Sequence, residues 1–118
     1  MTKARLFSIV IPARNEAAGL RQLLPRLIDL AIDAEIIIVD DGSEDETSEV
    51  CAAYPVIRLR HHYPQGNGAA IKAGARVAQG SIIVFMDADG QHRPEDVLRL
   101  LAKLDEGYDM VVGSRDDA

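Results

Sequence analysis

Ile36, Ile37, Ile38 and Val39 put four β-branched side chains in a row, and Asp40, Asp41, Gly42 and Ser43 end the run abruptly. Successive side chains of a strand point to opposite faces, so a strand can be apolar without interruption only where both faces are covered. A sheet with helices on both sides meets that condition. The rest of the chain repeats the arrangement, with "LFSIVIP" (6–12), "VIRLRHH" (56–62), "SIIVFMDADG" (81–90) and "YDMVVGSR" (108–115) reading as further strands. Helical patterns separate them, which is the signature of βα units around a mainly parallel sheet. The expected fold is a three-layer α/β/α sandwich forming one domain over residues 1–118, a length that buries a single core.

Local signals set the helices. Leu20, Leu23, Leu24, Leu27 and Ile28 recur at three-and-four spacing, with Asn15 as the expected N-cap, and Pro25 is expected to kink the helix or delay its start. "SEDE" (43–46) matches a capping box, which predicts a helix from Ser43 towards Tyr54. "GNGAAIKAGARVAQG" (66–80) and "RPEDVLRLLAKLDEG" (93–107) read as two more helices.

Charge and length exclude several classes. A net charge of −6 argues against a nucleic-acid partner held by a basic surface. No apolar run approaches the roughly 18 residues needed to span a bilayer. The single Cys51 reads as a packed thiol, which suits a reducing compartment, so a cytoplasmic protein is expected.

In open α/β sheets, ligands bind beyond the carboxyl ends of the strands. The segments that follow the strands are "PARNE", "DDGS", "HHYPQGNG" and "DADGQH", and these hold nearly all the chemically capable residues. Asp87 and Asp89 flank Ala88, and two carboxylates so spaced present oxygens to a hard cation such as Mg²⁺. Asp89 reads as the direct ligand, with the Gln91 amide oxygen assisting. Asp40 is expected to accept a hydrogen bond from the imide N–H of uracil, thymine or guanine. Asp41 and Ser43 are expected to serve as turn and cap residues, Glu16 to contact nucleotide or the helix dipole, and Lys72 to solvate a helix. His61, His62 and His92 read as solvated loop residues.

"SIVIPARNE", "IIIVDDGSEDET", "GNGAAIKAGARVAQG", "IIVFMDADGQHRPED" and "MVVGSR" together resemble family 2 glycosyltransferases of the GT-A fold, above all polyprenyl-phosphate sugar transferases of the dolichol-phosphate mannose synthase type. The resemblance covers essentially the whole chain. It implies nucleotide contacts at Pro12, Arg14, Glu16, Ile38, Asp40, Asp87, Ala88 and Asp89, and a Mg²⁺ or Mn²⁺ site at Asp89 and Gln91, with Asp89 the catalytic residue. Arg14 stands where the synthases often carry Tyr. The implied partners are a nucleotide diphosphate sugar as donor and a polyprenyl phosphate or another molecule as acceptor. The chain is expected to be the truncated, nucleotide-binding part of such a domain, peripheral to the membrane in the full-length protein. Through its unfinished sheet it is expected to self-associate and to show little transfer alone. Two other classes fit less well: a nucleotidyltransferase lacks its Gly-rich basic loop here, and a phospho-acceptor receiver domain would carry its acidic pair after the first strand.

Overall fold

The computed structural model describes residues 7–29 and 34–88. Within them the chain alternates strand and helix: β1 (Phe7–Ala13), α1 (Ala17–Asp29), β2 (Ala34–Asp41), α2 (Thr47–Ala52), β3 (Ile57–His61), α3 (Asn67–Val77) and β4 (Ile82–Phe85). The sheet order is β3-β2-β1-β4, and every neighbouring pair is parallel. The helix expected over 93–107 and the strand over 108–115 lie outside the described residues.

The uninterrupted apolar strands are covered on both faces, as their composition requires. Ile9, Ile11, Ile38 and Val84 turn to one side, where Leu20, Leu24 and Leu27 of α1 and Val50 and Cys51 of α2 meet them. Val10, Ile37 and Val39 turn to the other, against Ala70 and Ala73 of α3. The described residues thus form the expected three layers. At the amino end of the sheet, the buried Ser8 hydroxyl donates to Glu35 and accepts from the Gly80 amide at 2.8 Å, tying the entry to β4 onto β1 and β2.

Helix α1 neither starts late nor breaks at Pro25, which sits inside it. The carbonyl deprived of a partner by proline belongs to Arg21, an exposed residue that water can reach. Leu20, Leu23, Leu24 and Leu27 are buried as the spacing predicts, whereas Ile28 is 37% exposed at the rim of an apolar groove shared with Ile36 and Pro55. Helix α2 is shorter than expected and begins at Thr47. Its capping box does not form: Glu46 makes no cap bond and pairs with Arg21 instead.

Gly74 lets α3 lie close on the sheet. A Cβ there would overlap Cγ1 of Val10 and approach Cγ2 of Val39 to 3.2 Å, and both valines are fully buried. β-Branched side chains in a packed core have little freedom to yield. Gly74→Ala is therefore expected to destabilise the fold by about 1–3 kcal/mol, although alanine is the better helix former. Gly68, on the same helix with nothing within 4 Å of an added Cβ, is the control. Gly68→Ala should stabilise by about 0.4–1 kcal/mol. Urea denaturation of the two variants checks the pair, and a loss at both positions would show that close packing at Gly74 is not the cause.

Candidate functional site

Because every described strand is parallel, their carboxyl ends converge on one edge. The register pairs Ala13 with Asp40 and Asp41 with His61, and the Met86 amide donates to the Val10 carbonyl at 3.1 Å, which brings Asp87 and Ala88 to the same edge. A cleft of about 210 Å³ opens there, lined by Pro12, Ala13, Arg14, Asp41, Pro64, Gly66 and Asn67. Whole small ligands usually occupy about 300 Å³ or more, so the cleft has room for one part of a larger molecule.

Asp41 is the carboxylate of this cleft. Its Oδ1 accepts from His61 Nδ1 at 2.8 Å and from the Gln65 amide at 2.9 Å, and its Oδ2 accepts from the Gly66 amide at 2.9 Å. The ring nitrogen that faces a carboxylate carries the proton, so Nδ1 of His61 is the donor. Burial pushes the Asp41 carboxyl up, but the hydrogen bonds from His61, Gln65 and Gly66, together with the charge of His61, outweigh it and hold the carboxyl below the ordinary aspartate value. His61 is therefore a half-buried partner of Asp41, not the solvated loop residue that the sequence predicts, whereas His62 is exposed.

Asp40 turns the other way. Adjacent strand residues face opposite layers, and Asp40 points under α2 with no solvent exposure. Its Oδ1 accepts from the Ser43 amide at 3.0 Å, while its buried Oδ2 has no hydrogen bond among the described residues and lies 4.0 Å from Nε of Arg60. Nearby, burial first and the Asp40 charge second push the Cys51 thiol up to about 11, in keeping with a packed, unreactive sulfur. The sequence reading sets Asp40 to face a nucleotide base, and in the structure the acid that lines the cleft is Asp41. Ile38, two residues before Asp40 on the same face, is likewise fully buried in the core, so its side chain does not reach the cleft.

The loops around the cleft cap one another. Asn15 adopts a left-handed conformation (φ 54°), and its Oδ1 accepts from the amides of Glu44 at 2.8 Å and Asp45 at 3.3 Å. In return the Ser43 hydroxyl accepts from the Asn15 amide at 2.9 Å, Thr47 Oγ1 from the Glu16 amide at 2.9 Å, and Asp45 Oδ2 from the Ala17 amide at 3.3 Å. Asn15 thus caps the neighbouring loop and not its own helix, and Ser43 serves α1 and not α2. Gly42 closes the arrangement. Its φ is +72°, and a Cβ would come within 2.6 Å of the Tyr63 carbonyl carbon, so only glycine lets the loops after β2 and β3 meet.

This site sits on a chain whose residues 8–118 match the family model described as glycosyl transferase family 2. The chain belongs to glycosyl transferase family 2. Among curated relatives it is 38% identical over 125 residues to an undecaprenyl-phosphate 4-deoxy-4-formamido-L-arabinose transferase of Pseudomonas paraeruginosa, covering 95% of this chain and 36% of that protein. It is 38% identical over 115 residues to a dolichol-phosphate mannosyltransferase of Pyrococcus furiosus, covering 92% and 32%. Glucosyl-3-phosphoglycerate synthase from Mycobacterium tuberculosis, solved with Mn²⁺, uridine diphosphate and phosphoglyceric acid, superposes with a TM-score of 0.72 at 27% identity, over 86% of this chain and 39% of that one. The chain spans about a third of the length of these curated relatives.

Of the family 2 site positions read from the sequence, the structure gathers Pro12 and Arg14 on the cleft and Asp87 and Ala88 beside it at the same sheet edge. Glu16 is half-buried at the start of α1, and Ala88 packs its carbonyl against Gly19 of that helix. Asp89, Gln91 and His92 lie outside the described residues. Among the described residues no group of three or more His, Cys, Asp or Glu side chains is arranged to hold a metal ion. Lys72 is exposed on α3, as a solvating residue should be. Sequence reading missed Asp41, His61 and the Gln65–Gly66 amides; the signal available was strand parity, which makes Asp40 and Asp41 alternatives.

The lowered carboxyl of Asp41 links this site to stability. A group whose folded pKa lies below its unfolded value contributes stability that is present above the unfolded value and lost as pH falls through the folded one. For Asp41 the unfolded value is about 3.8. The same direction holds for Asp45, where the Thr47 hydroxyl is the main cause. Denaturant midpoints are expected to hold steady above that pH and to drop below it. Asp41→Asn should lower the plateau and flatten the drop, and an unchanged acid limb in this variant would remove Asp41 from the linkage.

Proposed function

We propose that this chain forms the donor-binding part of a glycosyltransferase that moves a sugar from a nucleoside diphosphate sugar to a polyprenyl phosphate. Asp41 carries the reading: it is a buried carboxylate on the wall of a small cleft at the ligand edge of the sheet, with an acceptor position that no described residue takes. An imide N–H of a base fits that acceptor, with Pro12 and Arg14 as neighbouring walls. The amino end of α3, beginning at Asn67, borders the same cleft, where backbone amides favour an anion.

The diphosphate then runs towards Asp87, Ala88 and Asp89. Asp87 offers hard oxygen at that edge, which suits a divalent cation, and Asp89 with Gln91 would complete its protein ligands. Mg²⁺ or Mn²⁺ bound there would offset charge on the departing diphosphate. The Mn²⁺ in the mycobacterial synthase structure supports a divalent ion. Asp40 and Ile38 act from behind, Asp40 by fixing the Ser43 turn and Ile38 by packing the strand that carries Asp41. A lipid phosphate is already an anion and needs no strong general base, so the acceptor side asks only for orientation and exclusion of water. No helix of the described residues is long and apolar enough to cross a membrane. A lipid-phosphate acceptor, as in the names of the two curated relatives, implies work at a membrane surface.

Calorimetric titration with nucleoside diphosphates, with and without Mn²⁺, tests the reading. Binding is expected to be stronger with the ion. Asp89→Ala should weaken it in Mn²⁺ by about 1–3 kcal/mol, the scale for loss of a charged partner, and by much less in chelator. Equal affinities of variant and parent in Mn²⁺ would falsify the role of Asp89.

A further inference from the structure

The base pocket proposed above has a second property, which rests on that reading. An ionised carboxylate offers about four lone-pair positions, two on each oxygen. In Asp41 both positions of Oδ1 are taken, by His61 Nδ1 and the Gln65 amide, and one of Oδ2 is taken by the Gly66 amide. Among the described residues nothing takes the remaining acceptor position, on Oδ2. Nothing else among the described residues lining the cleft adds a second carboxylate.

We infer that this cleft selects a base with a single imide N–H, uracil or thymine, and discriminates against guanine. Uracil presents one N–H between two carbonyl oxygens, so one acceptor on the protein satisfies it. Donors for the flanking carbonyls are at hand in the Arg14 guanidinium and the Asn67 amide, both on the cleft wall. Guanine presents its ring N–H and exocyclic amine side by side, and a carboxylate takes that pair with both oxygens. Here Oδ1 is saturated, so guanine leaves its amine unpaired or displaces His61 or a loop amide. Cytosine and adenine fail for a different reason. Each sets a ring acceptor beside its amine, which turns a lone pair towards the carboxylate.

His61 is therefore a specificity-determining residue that acts through Asp41. It occupies the lone pair that guanine would need and shares Oδ1 with the Gln65 amide. Its side chain is 16% exposed, so the pairing is shielded from bulk water.

The test is titration of the whole chain with UDP, dTDP and GDP at one fixed Mn²⁺ concentration. UDP and dTDP are expected to bind at least about tenfold more tightly than GDP, a factor that corresponds to about 1.4 kcal/mol. His61→Ala frees a position on Oδ1 and should narrow the UDP-to-GDP ratio several-fold, chiefly by improving GDP. His61→Asn, which keeps an N–H donor for Asp41, should retain the parent's ratio. Thermal unfolding of each variant separates loss of fold from change of preference, and the parent's own ratio decides the matter if His61→Ala does not fold. GDP binding as well as or better than UDP overturns the inference and leaves the nucleotide pocket standing. Binding of none of the three overturns the pocket itself. A ratio that His61→Ala leaves unchanged overturns the part assigned to His61.

Discussion

Two neighbouring carboxylates at the end of one strand cannot do the same work. The pleat sends Asp40 beneath α2 and Asp41 towards α3, and the site depends on that division. Asp40 holds the Ser43 amide and lies near Arg60 at the edge strand, so it shapes the turn from below. Asp41 gathers His61, Gln65 and Gly66 from the segment that leads into α3. A shift of β2 by one residue would exchange these roles and leave both loops without their anchors.

The loops are held by exchange, not by their own helices. Asn15 serves amides of the β2–α2 loop, while Ser43, Asp45 and Thr47 serve amides at the start of α1. A helix start has four amides without intrahelical partners, and burying such an end without them is costly. Here the β2–α2 loop and the first residues of α2 satisfy amides at the start of α1, and Asn15 satisfies loop amides in return. The wall that carries Pro12 and Arg14 is thereby fixed relative to Asp41, with no need for a ligand to order it.

Much of the layering was legible in the sequence because it follows from periodicity. Continuous β-branched strands and the leucine stripe of α1 each have one sensible reading, and both appear as the pattern requires. The cleft was legible at the level of the sheet edge and not at the level of the atom. Asp40 and Asp41 look equivalent in a line of text, since parity becomes informative only when the face of each layer is known. Local cap signals at Asn15 and Ser43 were read as serving the nearest helix, and the nearest partner in sequence is not the nearest in space. His61 gave no signal, because its partner lies 20 residues away on the adjacent strand.

Among the described strands β3 has only β2 as a neighbour, and three of its five residues are exposed. Its docking delivers His61 and, just beyond it, the Gln65 and Gly66 amides. Until that edge strand is in place, Asp41 has none of these partners. The pocket is therefore assembled with the least protected margin of the sheet, while the inner strands β1 and β2 hold the core. Opening of that margin would expose the Gln65 and Gly66 amides to hydrogen exchange together, and a bound base that engages Asp41 would slow both, so two backbone protons report on occupancy.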